Sequence, residues 1–499
     1  MLFVSAICSC TKRLEAPNRS VAGEELHWKS MSETQAGLMG IYGLMRSAMV
    51  SNNAHWLYGD VRGGDFSIYS RADLAAIKSN TLNASFPIIQ SLSNWQRFYA
   101  VINAASVFIE KSPKVHAVDN RYTETNLKLD IAQARALRAF AYFYMVRIWG
   151  DVPLLTKSFD NGSFEAIGKN TSEEVLSYAE KELKSCLEDL PYKFGSDNNK
   201  YYGNDWWYWN RVLIGRLGAY SILSHIAAWQ GKYVDVEAYT KEVLDNSEWG
   251  NVKRSTNLTG TWEGDAGLTG NYGIFANNYG LGQLVAFNAS YWTAEATNSG
   301  HLEQLTLANP IVKKEFPDIY VSKDSINNIF EDLDDKRFGL DTVNDLYREV
   351  YFTGYKNQIP IFIKVKIIRD GVDNGDYAVF GSNLVFTRAE EIILLRAEAL
   401  AVLGNRTDAI ELLNSVRSSR GLSPYSTLST RPVIDEIFEE RRRELMGEGW
   451  RFYDLVRYNK IKGSDPKFNN LIANKGIYWP VATDILNRNS KLTQNDYWK

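Results

Sequence analysis

The chain has 499 residues, is 45% hydrophobic and 23% charged, and carries a formal net charge of −3. That balance can bury a core and excludes intrinsic disorder, and the lack of a basic excess argues against a dedicated nucleic-acid binder. Aromatic residues are plentiful, with 14 Trp and 28 Tyr; most must serve the core, and some are expected outside it.

Residues 1–10, MLFVSAICSC, read as the end of an apolar export segment. Ile7-Cys8-Ser9-Cys10 resembles a bacterial lipobox, which makes Cys10 the acylated residue, and residues 11–29 a linker. No run of about 20 apolar residues occurs, so no segment spans a membrane as a helix. Apart from the two cysteines of the lipobox, only Cys186 remains, and its helical setting makes it a small buried hydrophobe.

From Ser30 to Arg46 the spacing predicts a first helix opened by Ser32. Residues 52–65 are rich in Gly and Asn, lack a helical period and read as a loop. Helices resume near Trp95 and near Leu129. The second is apolar on nearly every side, which places it deep in the body until Gly150 and Pro153 end it. Thr171 and Glu174 form a capping-box pattern ahead of the helix holding Cys186. A helical hairpin follows with its turn at Gly231-Lys232-Tyr233, and a second has its turn at Gly404-Asn405-Arg406. In the second, Ile392, Leu395, Ala399 and Val402 answer Ala409, Ile410, Leu413 and Val416, and small residues let the two backbones approach. Gly421 stops that hairpin and Pro432 begins a third helix.

Residues 251–383 differ in character, being rich in Gly, Asn and Thr with short alternating runs such as 358–366. The expected fold is therefore mostly α. A tetratricopeptide-like helical-repeat scaffold over 30–250 and 384–460 carries an inserted, irregular, loop-rich lobe with short strands, and 461–499 form an extended C-terminal tail.

The stretch 439–457, EERRRELMGEGWRFYDLVR, resembles the late motif of SusD/RagB-type outer-membrane nutrient-binding lipoproteins. The segments 134–155 (ending WGDVPLL), 397–421 and 478–498 resemble other parts of that family's pattern. The resemblance implies a protein anchored by lipid to the outer membrane, facing the cell exterior. It implies capture of an oligosaccharide, or in the RagB branch a peptide, and a SusC-like TonB-dependent transporter that the protein covers as a lid. It implies no covalent chemistry and no cofactor.

The residues themselves suggest no catalytic group. Arg441, Glu444, Glu448, Arg451, Asp454 and Arg457 are spaced by three and four, as in ion pairs within or between helices. The five histidines form no metal-ligand spacing. An all-helical glycoside hydrolase stays open as an alternative, since 59 acidic residues allow a catalytic carboxylate pair. Sugar capture calls for flat rings beside planar hydrogen-bonding groups on loops. Trp56 with Asp60, Asp65 and Arg71, then Trp262, then Tyr291-Trp292 with Asn298 meet that need. The resemblance favours the first and third sets, because it implies a ligand face built from the early loop and the lobe. Trp206, Trp207 and Trp209 could add an aromatic platform, but are expected instead to pack a junction ahead of Arg211.

Overall fold

The computed structural model describes residues 27–159, 165–196, 200–209, 213–262, 266–276, 281–289, 296–341, 343, 346–370 and 378–499. Helix α1 (Met31–Val50) starts one residue after Ser30, not at Ser32. Ser30 accepts from the Glu33 N–H while Glu33 reaches back to the cap, so the box at 30–33 outcompetes the later serine. Helices α2 (Gln96–Val118) and α3 (Glu124–Trp149) pack on α1 and on each other, and α4 (Ser172–Cys186) packs on α3. Helix α3 is buried almost continuously from Ala132 and ends at Gly150, whose φ of 73° suits a residue without Cβ. The Thr171–Glu174 capping box is present, and Cys186 is buried with its thiol against the Leu183 carbonyl.

Helices α5 (Arg216–Gln230) and α6 (Tyr233–Asp245) form the first hairpin, turning at left-handed Gly231. Helices α7 (Ala389–Val402) and α8 (Arg406–Ser419) form the second, and α6 packs directly on α7. Leu217, Val236 and Val243 of one hairpin share an apolar cluster with Ile392, Leu395 and Ala399 of the other. The helical-repeat scaffold is thus one continuous stack, closed by α9 (Val433–Glu444) and α10 (Arg451–Lys462).

The lobe contains only short, two-stranded pairings among the described residues. One of them, Gln283–Phe287 against Leu384–Arg388, runs straight into α7 and fastens the lobe to the scaffold.

The expected early loop and the expected extended tail are both more ordered than their composition suggests. Residues 51–61 form successive tight helical turns and are mostly buried, because their polar groups find partners in the segment between α9 and α10. The tail is not simply extended: it holds helices Pro466–Ala473 and Thr483–Arg488, and Trp479 is buried with its ring edge-on to Tyr58 at 5.0 Å.

Candidate functional site

The early segment turns inward before it turns outward. Trp56 is only 4% exposed, and its indole N–H donates to the Gly447 carbonyl at 3.2 Å. Asp60 is 1% exposed and accepts the Gly449 N–H at 2.6 Å; burial pushes its carboxyl up to about 8. Asp65 accepts from Arg442 at 2.7 Å and lies 2.9 Å from the Arg451 Nε. Of these three residues, all expected on an exposed loop, Trp56 and Asp60 instead clamp the Gly447–Gly449 turn and Asp65 bridges Arg442 and Arg451 on either side of it, and burial withdraws Trp56 and Asp60 from any ligand. Lone polar groups cannot be buried cheaply, and each of these has a partner almost four hundred residues away.

Past Asp65 the chain reaches the surface. Ser67–Ile68 pairs antiparallel with Ile319–Tyr320 of the lobe, joining the early segment to the insertion along a short seam. The Tyr69 N–H extends the pairing by donating to the Asp318 carbonyl at 3.0 Å. The Tyr69 ring stacks on Phe316, with centroids 4.5 Å apart and planes at 25°, and Tyr69 remains 44% exposed. Next to this stack, Arg71 grips Asp73 with two hydrogen bonds of 2.9 and 2.6 Å and lies 3.6 Å from Asp318. Lys314 pairs with Asp318 at 2.9 Å. The bidentate bond from Arg71 lowers the Asp73 carboxyl and is returned as a raised Arg71. Ring faces and fixed donors and acceptors together are what a sugar ring requires of a surface.

Of the residues singled out from sequence, the seam holds Arg71 alone. Trp262 is 63% exposed beyond the strand Asn257–Thr259, and Asn298 is exposed ahead of Gly300. The ring contact and hydrogen bonds that define the seam involve neither. Tyr291 and Trp292 lie outside the described residues, as does Cys10. Trp209 is buried and its indole donates to the Tyr201 carbonyl, as its packing role required. Sequence reading missed Tyr69, Asp73, Phe316 and Asp318. The signal available was the run Phe316-Pro317-Asp318-Ile319-Tyr320, an aromatic and a turn signal beside a short alternation.

The charged run at 441–457 is structural. Arg441, Glu444, Glu448, Asp454 and Arg457 are all buried. Arg457 does meet Asp454 one turn away, but Glu444 serves Arg337, Arg388 and Arg420 from three other segments. None of these groups is exposed for chemistry.

Comparison with known proteins agrees with this architecture. The family model described as the SusD family matches residues 366–470, and a second, described as starch-binding associating with outer membrane, matches residues 38–203. A SusD-like protein P38 from Formosa agariphila is 26% identical over 99% of this chain and 97% of its own length. A SusD homolog from Bacteroides thetaiotaomicron superimposes with a TM-score of 0.74 at 23% identity, covering 95% of this chain and 100% of its own, a likeness of fold. A second solved structure from Bacteroides thetaiotaomicron, a SusD superfamily protein, is 48% identical with a TM-score of 0.85 over 95% of this chain and all of its own. At that identity along the whole scaffold and lobe, the chain belongs to the SusD superfamily.

Proposed function

We propose that this protein captures an oligosaccharide nutrient at the outer membrane and passes it to a SusC-like TonB-dependent transporter. Cys10 is the acylated anchor, and the binding face looks toward the cell exterior. The observation that carries the reading is the seam, where Tyr69 and Phe316 stack at 4.5 Å beside the Arg71–Asp73 pair. The description of the family model over residues 38–203, starch-binding associating with outer membrane, supports the ligand class and the location. The Arg71–Asp73 pair suits a sugar because a guanidinium and a carboxylate already locked together offer hydroxyl groups a donor and an acceptor at fixed spacing. Trp262 and Asn298, both exposed on the lobe, are further candidates for ligand contact, and Tyr291 with Trp292 are candidates from sequence alone. The protein performs no turnover: it binds and releases.

Calorimetric titration with panels of oligosaccharides and of peptides tests the reading. Wild type should bind at least one oligosaccharide, Tyr69→Ala and Arg71→Ala should each weaken it, and the mass of the glycan should not change on incubation. Binding of peptides alone would replace the oligosaccharide with the peptide ligand of the RagB branch. Glycan cleavage would end the non-enzymatic reading.

A further inference from the structure

Glu303 belongs to the short lobe helix Leu302–Thr306 and is fully buried. Its Oε1 accepts the Ile367 N–H at 3.2 Å, and its Oε2 lies 2.8 Å from the Ser382 hydroxyl. Ile367 and Ser382 flank the antiparallel strand pair Ile368–Asp370 and Val379–Phe380, whose root is closed by the Gly381 N–H on the Ile367 carbonyl at 2.9 Å. One carboxyl group therefore pins both legs of the pair. The Ser382 hydroxyl lies in turn 3.0 Å from His301 Nδ1, and the His301 carbonyl accepts the Asn53 amide of the early segment at 2.7 Å.

The polarity of this chain is set at one end. A backbone N–H can only donate, so Oε1 must remain an acceptor and any proton on the carboxyl sits on Oε2. With that proton in place, Glu303 donates to Ser382, and Ser382 donates to His301 Nδ1, which leaves the ring hydrogen on Nε2. Without it, Oε2 accepts from Ser382 and Ser382 accepts from His301, which puts the ring hydrogen on Nδ1. No heavy atom has to move between the two states.

Burial pushes the Glu303 carboxyl up to about 7, and burial with the Arg46 guanidinium of α1 holds the His301 imidazole down to about 4. Around them, Arg369 lies along Gly381, Lys366 is turned to Glu349, and Lys314 holds the Gln304 carbonyl and Asp318. No cation among these offsets the burial of Glu303.

We propose that Glu303, Ser382 and His301 form a proton-controlled latch at the root of this strand pair, closed and relayed to the His301 tautomer when Glu303 is protonated, and loosened when it ionises. The charge is better solvated with the root open, so the latch contributes fully below 4.5, the ordinary value, and that contribution is lost as pH rises to about 7. The latch needs no ligand and shares no residue with the seam.

The protein is labelled with ¹⁵N in its five histidine rings, and the His301 signals are assigned by their loss in His301→Asn. Between pH 5 and 9 the bare ring nitrogen should pass from Nδ1 to Nε2 with a midpoint near 7. Glu303→Gln keeps the acceptor for Ile367 and a permanent donor for Ser382, so its His301 should hold the Nε2–H tautomer at every pH. Ser382→Ala should uncouple the tautomer from pH while leaving the protein folded. Hydrogen exchange gives a second readout: protection of the Gly381 amide in wild type should fall by up to about tenfold per pH unit between about 5 and 7, and stay level in Glu303→Gln. A single His301 tautomer throughout in wild type, a tautomer change that persists in Glu303→Gln, or both ring nitrogens protonated at the acid end overturns the latch. Gly381 protection that follows the same course in wild type and Glu303→Gln overturns it as well.

Discussion

Arg388 and Glu448 meet side by side in the core, Nε to Oε2 and Nη2 to Oε1, both at 2.9 Å. Arg388 closes the strand that fastens the lobe, and Glu448 lies in the turn between α9 and α10, so the pair ties the fastening strand to the closing turn of the scaffold. Lys364 of the lobe adds its ammonium to the same carboxylate at 2.5 Å. One turn earlier, Glu444 receives Arg337 from the lobe, Arg388 from the strand and Arg420 from beyond α8.

Burial pushes the Glu444 carboxyl up, and the guanidinium groups of Arg420 and Arg388 more than reverse this, holding it well below the usual range. Glu444→Gln leaves three buried guanidinium groups short of a counter-charge, and breaking a buried pair from one side costs about 3–5 kcal/mol. Urea denaturation should show a loss of that order. A loss within about 1 kcal/mol, the size of an ordinary surface pair, would mean that the network is not what joins lobe to scaffold.

Acid and base act on different carboxylates. Glu440 has a carboxyl that burial raises and that Arg337 and Arg443 bring down to about 2, so its contribution is present above its ordinary 4.5 and is lost as pH falls toward about 2. Asp60 runs the other way. Raised from 3.8 to about 8 by burial, it contributes fully below 3.8, and that contribution is lost as pH rises to about 8. Wild type should therefore lose stability on the order of 4 kcal/mol between about pH 5 and about pH 8 through this group, about 1.4 kcal/mol per pH unit. Asp60→Asn, which keeps an acceptor for the Gly449 N–H, should show a smaller decline in paired denaturation curves. Equal declines would remove Asp60 as the source.

The helical scaffold was legible because its determinants are local. The box at Thr171–Glu174, the left-handed turns at Gly231 and Gly404 and the apolar girth of α3 all sit within a few residues of what they control. Arg147 shows how far that girth goes: its guanidinium lies 4.0 Å from the Tyr453 ring centre and within about 5 Å of Phe143, Tyr144, Phe386 and Trp450, a cage in place of a carboxylate. The site was less legible because its determinants are distant. Asp60 finds its partner 389 positions away, and Tyr69 and Phe316 meet across the insertion. Trp56 and Trp262 sit in similar glycine- and acid-rich sequence, yet one is 4% and the other 63% exposed. Spacing carries no information about which ring a remote segment will cover.

Gly59 is the tightest of those remote contacts. A Cβ there would stand 2.0 Å from the Gly449 carbonyl oxygen and 2.4 Å from its carbon, backbone that cannot rotate away. Gly59→Ala should cost about 3 kcal/mol, at the upper end for overpacking. Gly404→Ala is the control: its φ is +86° but nothing lies within 4 Å of the added carbon, so only the left-handed backbone penalty of about 1 kcal/mol applies. Calorimetric melting of the two variants should separate them clearly. Similar losses would mean that the early segment does not press on the Gly449 turn as described.

Two aromatic substitutions separate frame from surface. Trp56→Ala empties a core position and severs the bond to the Gly447 carbonyl, so it should cost about 3–5 kcal/mol, while the folded fraction keeps the glycan affinity of wild type. Tyr69→Ala removes a ring that is 44% exposed and stacked on one neighbour, so melting should hardly move. Its glycan affinity should fall about tenfold, since a stacked ring contributes roughly 0.5–1.5 kcal/mol beyond its area. Melting curves and calorimetric titrations on the same preparations check both halves. If Trp56→Ala melts normally and loses the ligand while Tyr69→Ala keeps it, the binding face lies with the early turns and not at the seam.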